Sequence, residues 1–265
     1  MNVEKNLRTT VLARIAIVFI VTCVIWILIN TWNSGEYNRL SHFLMGFSIS
    51  AVIILFIYIV CRLGKTPWTE LGFSSFKSNF YAFIFGFIVW LLPALIGTLL
   101  LLSFGMVEVE VKSSWQEIIS HFFVLGFTVF LIEALPEELI FRGYIFSQLQ
   151  RVWKDSLVIL LQIILFTLFG YVIGAIYSIQ QLMFIPGFAF ILGYLRAISK
   201  NIWVPIGFHL IIMTVTQLLS PLHNHFVVTN FFTLQFVAFI LLPSTAGAII
   251  LSYRADRRNN IAKNL

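Results

Sequence analysis

Residues 131–146 read LIEALPEELIFRGYIF. Glu133, Glu137, Glu138 and Arg142 fall in this one stretch, between the almost wholly apolar LGFTVF (125–130) and the uncharged FSQL (146–149). A charge at the centre of a membrane helix costs about 2.5 to 3.5 kcal/mol on insertion scales. Three carboxylates and a guanidinium placed there therefore demand partners or a purpose.

The rest of the chain says that the solvent is lipid. Its 265 residues are 60% hydrophobic and 11% charged and include 28 Phe, far from the composition of a soluble globular domain. Crossing a hydrocarbon core of about 30 Å takes roughly 20 apolar residues. On that measure the sequence predicts eight spans, near 11–32, 41–61, 79–103, 118–147, 156–178, 181–198, 202–220 and 230–253. The fourth is too long for one straight crossing, and Pro136 is expected to bend or restart it, because proline removes a helical hydrogen bond and clashes with the preceding turn. The fold class is all-α, a polytopic membrane helix bundle of about eight transmembrane helices. No soluble domain, long linker or repeat interrupts it, so residues 1–265 read as a single integral membrane domain. The first apolar run follows Lys5 and Arg8 as a signal peptide would, yet it lacks a cleavage pattern and is expected to be retained.

Cytoplasmic loops accumulate Lys and Arg. With the N-terminus inside, all of the 17 basic residues except Arg39 and Lys112 fall on the cytoplasmic side or in the cytoplasmic half of a span, and both termini are expected to be cytoplasmic. The net charge of +6 is accounted for in this way, and nucleic acid is not an expected partner. Cys23 and Cys61 lie in or at the end of separate apolar segments, with no spacing that marks a zinc site or a disulfide framework.

Counting back from Gln150 at helical rise puts Glu137 and Glu138 on the order of 18 to 20 Å along the helix, well inside the bilayer. Arg142 follows Glu138 by one turn and can neutralise it. Glu137 is left without a partner in its own helix, with Glu133 one turn earlier on the same side. A desolvated, unpaired carboxylate suits a group that takes and gives protons near neutral pH; an ion-pair lock between helices is the structural alternative. His209, in NIWVPIGFHLIIM (201–213), is deep in a span, about 13 Å from Lys200 at helical rise. Its depth matches that of the glutamates, although a lone membrane histidine is commonly an interhelical hydrogen-bond partner. His42 and His121 fall near outer ends, and His223 and His225 in an outer loop.

The pattern resembles the CAAX protease and bacteriocin-processing (CPBP, or Abi) family of intramembrane glutamate-type metalloendopeptidases. The family's EExxxR motif reads EELIFR here, Glu137 to Arg142, followed by Gly143 and Tyr144, and GFAFILGYLRAISKNIWVPIGFH (187–209) resembles the stretch leading to its third motif. The resemblance covers residues 118–215, a CPBP-like core. It implies Glu137 as the base that activates water for attack on a peptide bond, Glu138 and Arg142 as the pair that orients it, and His209 as an assisting group for water, metal or oxyanion. It also implies zinc, a membrane-embedded or lipidated peptide or protein as substrate, and residence in the bilayer of a bacterial plasma membrane.

Two positions depart from the family. FTLFG (166–170) places Gly170 where a second histidine is expected, and HLIIM (209–213) places Met213 where Asn or Asp is expected. Glycine offers no ligand, and methionine cannot orient a water as an amide does. Gly170 also begins a GxxxG pattern with Gly174, a common packing face, and the neighbouring Tyr171 offers a hydroxyl. A catalytic zinc normally takes three protein ligands and a water, so the donor count here argues against the metal. Three readings stay open: an endopeptidase, a non-catalytic relative that binds a membrane peptide or partner in bacteriocin immunity or regulation, and an ion-coupled transporter, since buried carboxylates also mark ion pathways.

Overall fold

The computed structural model describes the backbone of residues 2–32 and 39–263, and the side chains of 6–29, 31 and 44–253. Lys5, Arg39, Arg254, Arg257, Arg258 and Lys263, used above to orient the chain, and His42 lie outside the described side chains. The helices are α1 (Asn2–Trp32), α2 (Arg39–Gly64), α3 (Phe76–Ser103), α4 (Trp115–Gln150), α5 (Asp155–Val172), α6 (Ile179–Ser199), α7 (Trp203–Leu218) and α8 (231–263). Among the described residues, seven of these are long and apolar enough to cross a membrane. The protein is a polytopic helical membrane protein. The exception is α7, whose 16 residues reach only about 24 Å at helical rise. Short strands β1 (Val109–Val111) and β2 (Phe226–Val228) pair antiparallel, Val109 opposite Val228.

Helix α5 stops at Val172, short of the span expected over 156–178. Gly174 has φ +80°, and the amides of Gly174 and Ala175 donate to the carbonyls of Tyr171 and Gly170 at 3.1 and 2.8 Å. This is a glycine-terminated helix end in which the last carbonyls are satisfied by a chain reversal. Gly174 is thus a terminator, and the Gly170–Gly174 spacing is not a packing face.

The backbone divides into two compact units, Met1–Ser74 with Leu131–Gly193, and Ser75–Phe130 with Tyr194–Leu265. The boundaries fall just before α3 and inside α4 and α6. In the second unit α3 and α7 approach at backbone distance. A Cβ on Gly86 would collide with the Val204 carbonyl oxygen, and one on Gly207 with that of Phe83. Without a hydrophobic drive between helices in lipid, such small-residue contacts are what dispersion needs to hold helices together. Helix α8 packs farther along α3, where the Trp90 indole donates to the Phe239 carbonyl at 2.9 Å and Gly97 rests on Ala238. The first turns of α4 begin with a reciprocal cap between Ser114 and Glu117, which satisfies two otherwise orphaned amides. They then pack Ile118, Leu125 and Val129 around Leu218 of α7.

In the first unit α2 lies along the middle of α4. Gly46 admits the Ile132 and Leu131 side chains, and the Ser50 hydroxyl donates to the Leu131 carbonyl. An aromatic cluster of Trp26, Phe141, Phe166 and Phe169 fills the space among α1, α4 and α5.

Candidate functional site

The opening stretch is the irregular middle of α4. Residues Phe130–Ala134 and Leu139–Ile145 are π-helical, and a single α-turn, Leu135–Glu138, stands between them with Pro136 in its first turn. Proline cannot donate to the preceding turn, and a widened turn relieves the clash of its ring without breaking the rod. Pro136 therefore neither ends nor restarts the helix. Inserted π turns are costly and concentrate at functional sites.

Arg142 and Glu138 are both 0% exposed, and the guanidinium Nη1 donates to Glu138 Oε1 at 2.9 Å. The guanidinium also lies over the Phe166 ring, 4.3 Å from its centroid, and Nη2 donates to the Ala189 carbonyl at 3.3 Å. Arg142 is thus fixed by a carboxylate, a ring face and a backbone oxygen from three helices. Burying a charge is tolerable only with this degree of compensation.

Glu137 differs from its neighbour. It is 8% exposed, and no hydrogen bond or ion pair among the described residues engages its carboxylate. The charges it feels are those of Glu133, Glu138 and Arg142. Two adjacent carboxylates therefore have different settings, one consumed by Arg142 and the other not.

Gln162 of α5 completes the shell and was not singled out from the sequence. It is fully buried, and its amide donates to the same Ala189 carbonyl at 2.7 Å. Gly193 leaves the room it occupies, because a Cβ there would meet Gln162 Nε2 at 2.5 Å. The available signal was one amide inside LLQIIL (160–165), a polar group in an otherwise apolar run.

His209 lies on α7 in the second unit and is 1% exposed. The structure thus brings Glu137, Glu138 and Arg142 together in the first unit and buries His209 in the other. Gly170 is enclosed by apolar atoms, with Ile185 Cδ1 and Ile176 Cγ1 at 3.4 and 3.6 Å from where a Cβ would stand. Met213 packs on the apolar cluster of Ile118, Leu125, Val129 and Leu218. Tyr171 is 70% exposed rather than buried with the glutamates. Among the described residues no group of three or more His, Cys, Asp or Glu is arranged to hold a metal ion. The zinc implied by the family pattern does not fit the donors present, since Gly170 supplies no ligand where a second histidine is expected.

A second polar cluster joins residues distant in sequence. His121 Nδ1 and His225 Nε2 share a hydrogen bond at 2.6 Å, His225 Nδ1 meets the Ser113 hydroxyl at 2.8 Å, and the His223 ring stands edge-on to His121 with centroids 4.6 Å apart. It ties the β2 segment to the start of α4.

Residues 119–215 match the family described as type II CAAX prenyl endopeptidase Rce1-like. No curated protein and no solved structure matches the chain. The matched segment contains Glu137, Glu138, Arg142 and His209, and over it the chain is similar to that CAAX-protease-like family, as the EELIFR motif implies.

Proposed function

We propose that the protein is an intramembrane endopeptidase in which Glu137 is the general base. The observation that carries this reading is the division of labour between adjacent carboxylates: Glu138 is consumed by Arg142, and Glu137 is buried beside them with no hydrogen-bond or ion-pair partner among the described residues. In the proposed reaction Glu137 accepts a proton from water as the water oxygen bonds to the carbonyl carbon of a peptide. The same carboxyl then delivers the proton to the departing amine as the C–N bond breaks, a shuttle typical of general acid–base catalysis. Glu138 and Arg142 act as positioning residues that fix the π-helical turn. The family pattern also implies an assisting role for His209, which lies in the second unit. The substrate is a membrane-embedded or lipidated peptide or protein of a bacterial plasma membrane, and no step is routed through a metal. Glu137→Gln in a stably inserted protein tests the assignment, with loss of cleavage of membrane peptides expected.

Gly170 and Met213 favour a second reading. Both occupy apolar packing positions where the family pattern supplies polar groups, as in a non-catalytic relative that binds a membrane peptide or partner, for instance in bacteriocin immunity. On that reading Glu137→Gln leaves the biological phenotype unchanged.

A further inference from the structure

A cavity of about 300 Å³ opens in the first unit among Arg14, Ile17 and Val18 of α1, Val60, Leu63 and Gly64 of α2, and Tyr144 of α4. Two of its groups are chemically unspent. The Tyr144 side chain is 0% exposed, and its hydroxyl has no hydrogen-bond partner among the described residues. Arg14 is engaged by no ion pair or hydrogen bond among the described residues, and no carboxylate lines the cavity. Its guanidinium lies against the last turn of α2, since a Cβ on Gly64 would stand 3.4 Å from Arg14 Nη1. The Arg14 charge is felt at the Tyr144 hydroxyl.

A buried hydroxyl without a partner and a guanidinium without an anion are each costly. One acceptor with several oxygens would satisfy both, and guanidinium geometry favours a phosphate. The remaining wall is aliphatic, with Ile17 and Leu63 60% and 80% exposed at its mouth. Gly64 is the last residue of the α2 span, so the cavity lies at the membrane boundary rather than at mid-depth. Arg62 and Lys65 flank it in sequence, on the side where basic residues and anionic lipids meet.

We infer that this cavity is a binding site for the headgroup phosphate of an anionic glycerophospholipid, held by Arg14 and the Tyr144 hydroxyl with its acyl chains along Ile17 and Leu63. This site is independent of the proposed catalytic role of Glu137.

The test is native mass spectrometry of the full chain in a nonionic detergent, titrated with phosphatidylglycerol, with phosphatidylcholine of the same chains, and with inorganic phosphate. Phosphatidylglycerol is expected to be retained over phosphatidylcholine, to weaken about tenfold in R14Q and about threefold in Y144F, and to be largely kept in R14K, as loss of a charged or a neutral hydrogen bond implies. Arg14 also stands where a cation complements the α2 dipole. Equal retention of the two lipids, or a lowered melting temperature in R14Q with lipid preference unchanged, would overturn the proposal. Displacement of the lipid by inorganic phosphate at comparable concentration would do the same, by showing a site for the free anion.

Discussion

The Arg142 guanidinium lies 2.9 Å from Glu138 and over the Phe166 ring at 4.3 Å, with both charged side chains fully buried. Such a pair contributes little net stability compared with an apolar replacement, but cutting it strands a charge. Arg142→Met is expected to cost about 3 to 5 kcal/mol, and the double variant Glu138→Gln/Arg142→Met to recover part of that loss. Thermal unfolding in detergent checks both. A double variant no better than the single would show that Arg142 acts through Phe166 and Ala189 instead.

Gly86 and Gly207 hold α3 and α7 at backbone distance, each facing a carbonyl oxygen of the other helix. Backbone cannot rotate aside as a side chain can, so Gly86→Ala or Gly207→Ala must push the helices apart at about 1 to 3 kcal/mol or more. Each is expected to lower the melting temperature, and unaltered unfolding would contradict the close approach.

Gly170 and Gly174 should respond oppositely to alanine. At Gly170 an added methyl meets only movable isoleucine ends in ordinary contact, and alanine is the better helix former, so the change is expected to be neutral within about 0.5 kcal/mol. At Gly174 the left-handed φ of +80° makes alanine cost on the order of 1 kcal/mol. Unfolding midpoints of the two variants decide the matter, and equal losses would restore a packing role for both.

The donor set predicts that chelation by EDTA leaves Glu137-dependent cleavage intact, because Gly170 removes one of the three protein ligands that a catalytic zinc normally takes. Cleavage assayed before and after chelation, and after zinc is added back, checks this. Loss with recovery on zinc would reinstate a metal.

What was legible in the sequence followed from local spacing. Glu138 and Arg142 are one turn apart, so their pairing could be read from the sequence, as could the helices, because each apolar run is long against the bilayer. The end of α5 was misread because GYVIG fits a packing motif as well as a terminator, and only the backbone reversal at Gly174 decides between them. The response of α4 to Pro136 depended on whether neighbouring helices could hold a widened turn, which no local pattern reveals. Gln162 and the His121–His225 contact were hidden for the same reason, their partners lying 27 and 104 residues away.

The most direct test of the central claim is to compare peptide termini in host membranes carrying wild-type protein and Glu137→Gln, with insertion and melting temperature matched. The account predicts that a set of substrate-derived termini disappears in Glu137→Gln, a loss on the order of a hundredfold or more as expected for a missing general base. Termini that persist unchanged would contradict it and leave Glu137 as part of a binding pocket.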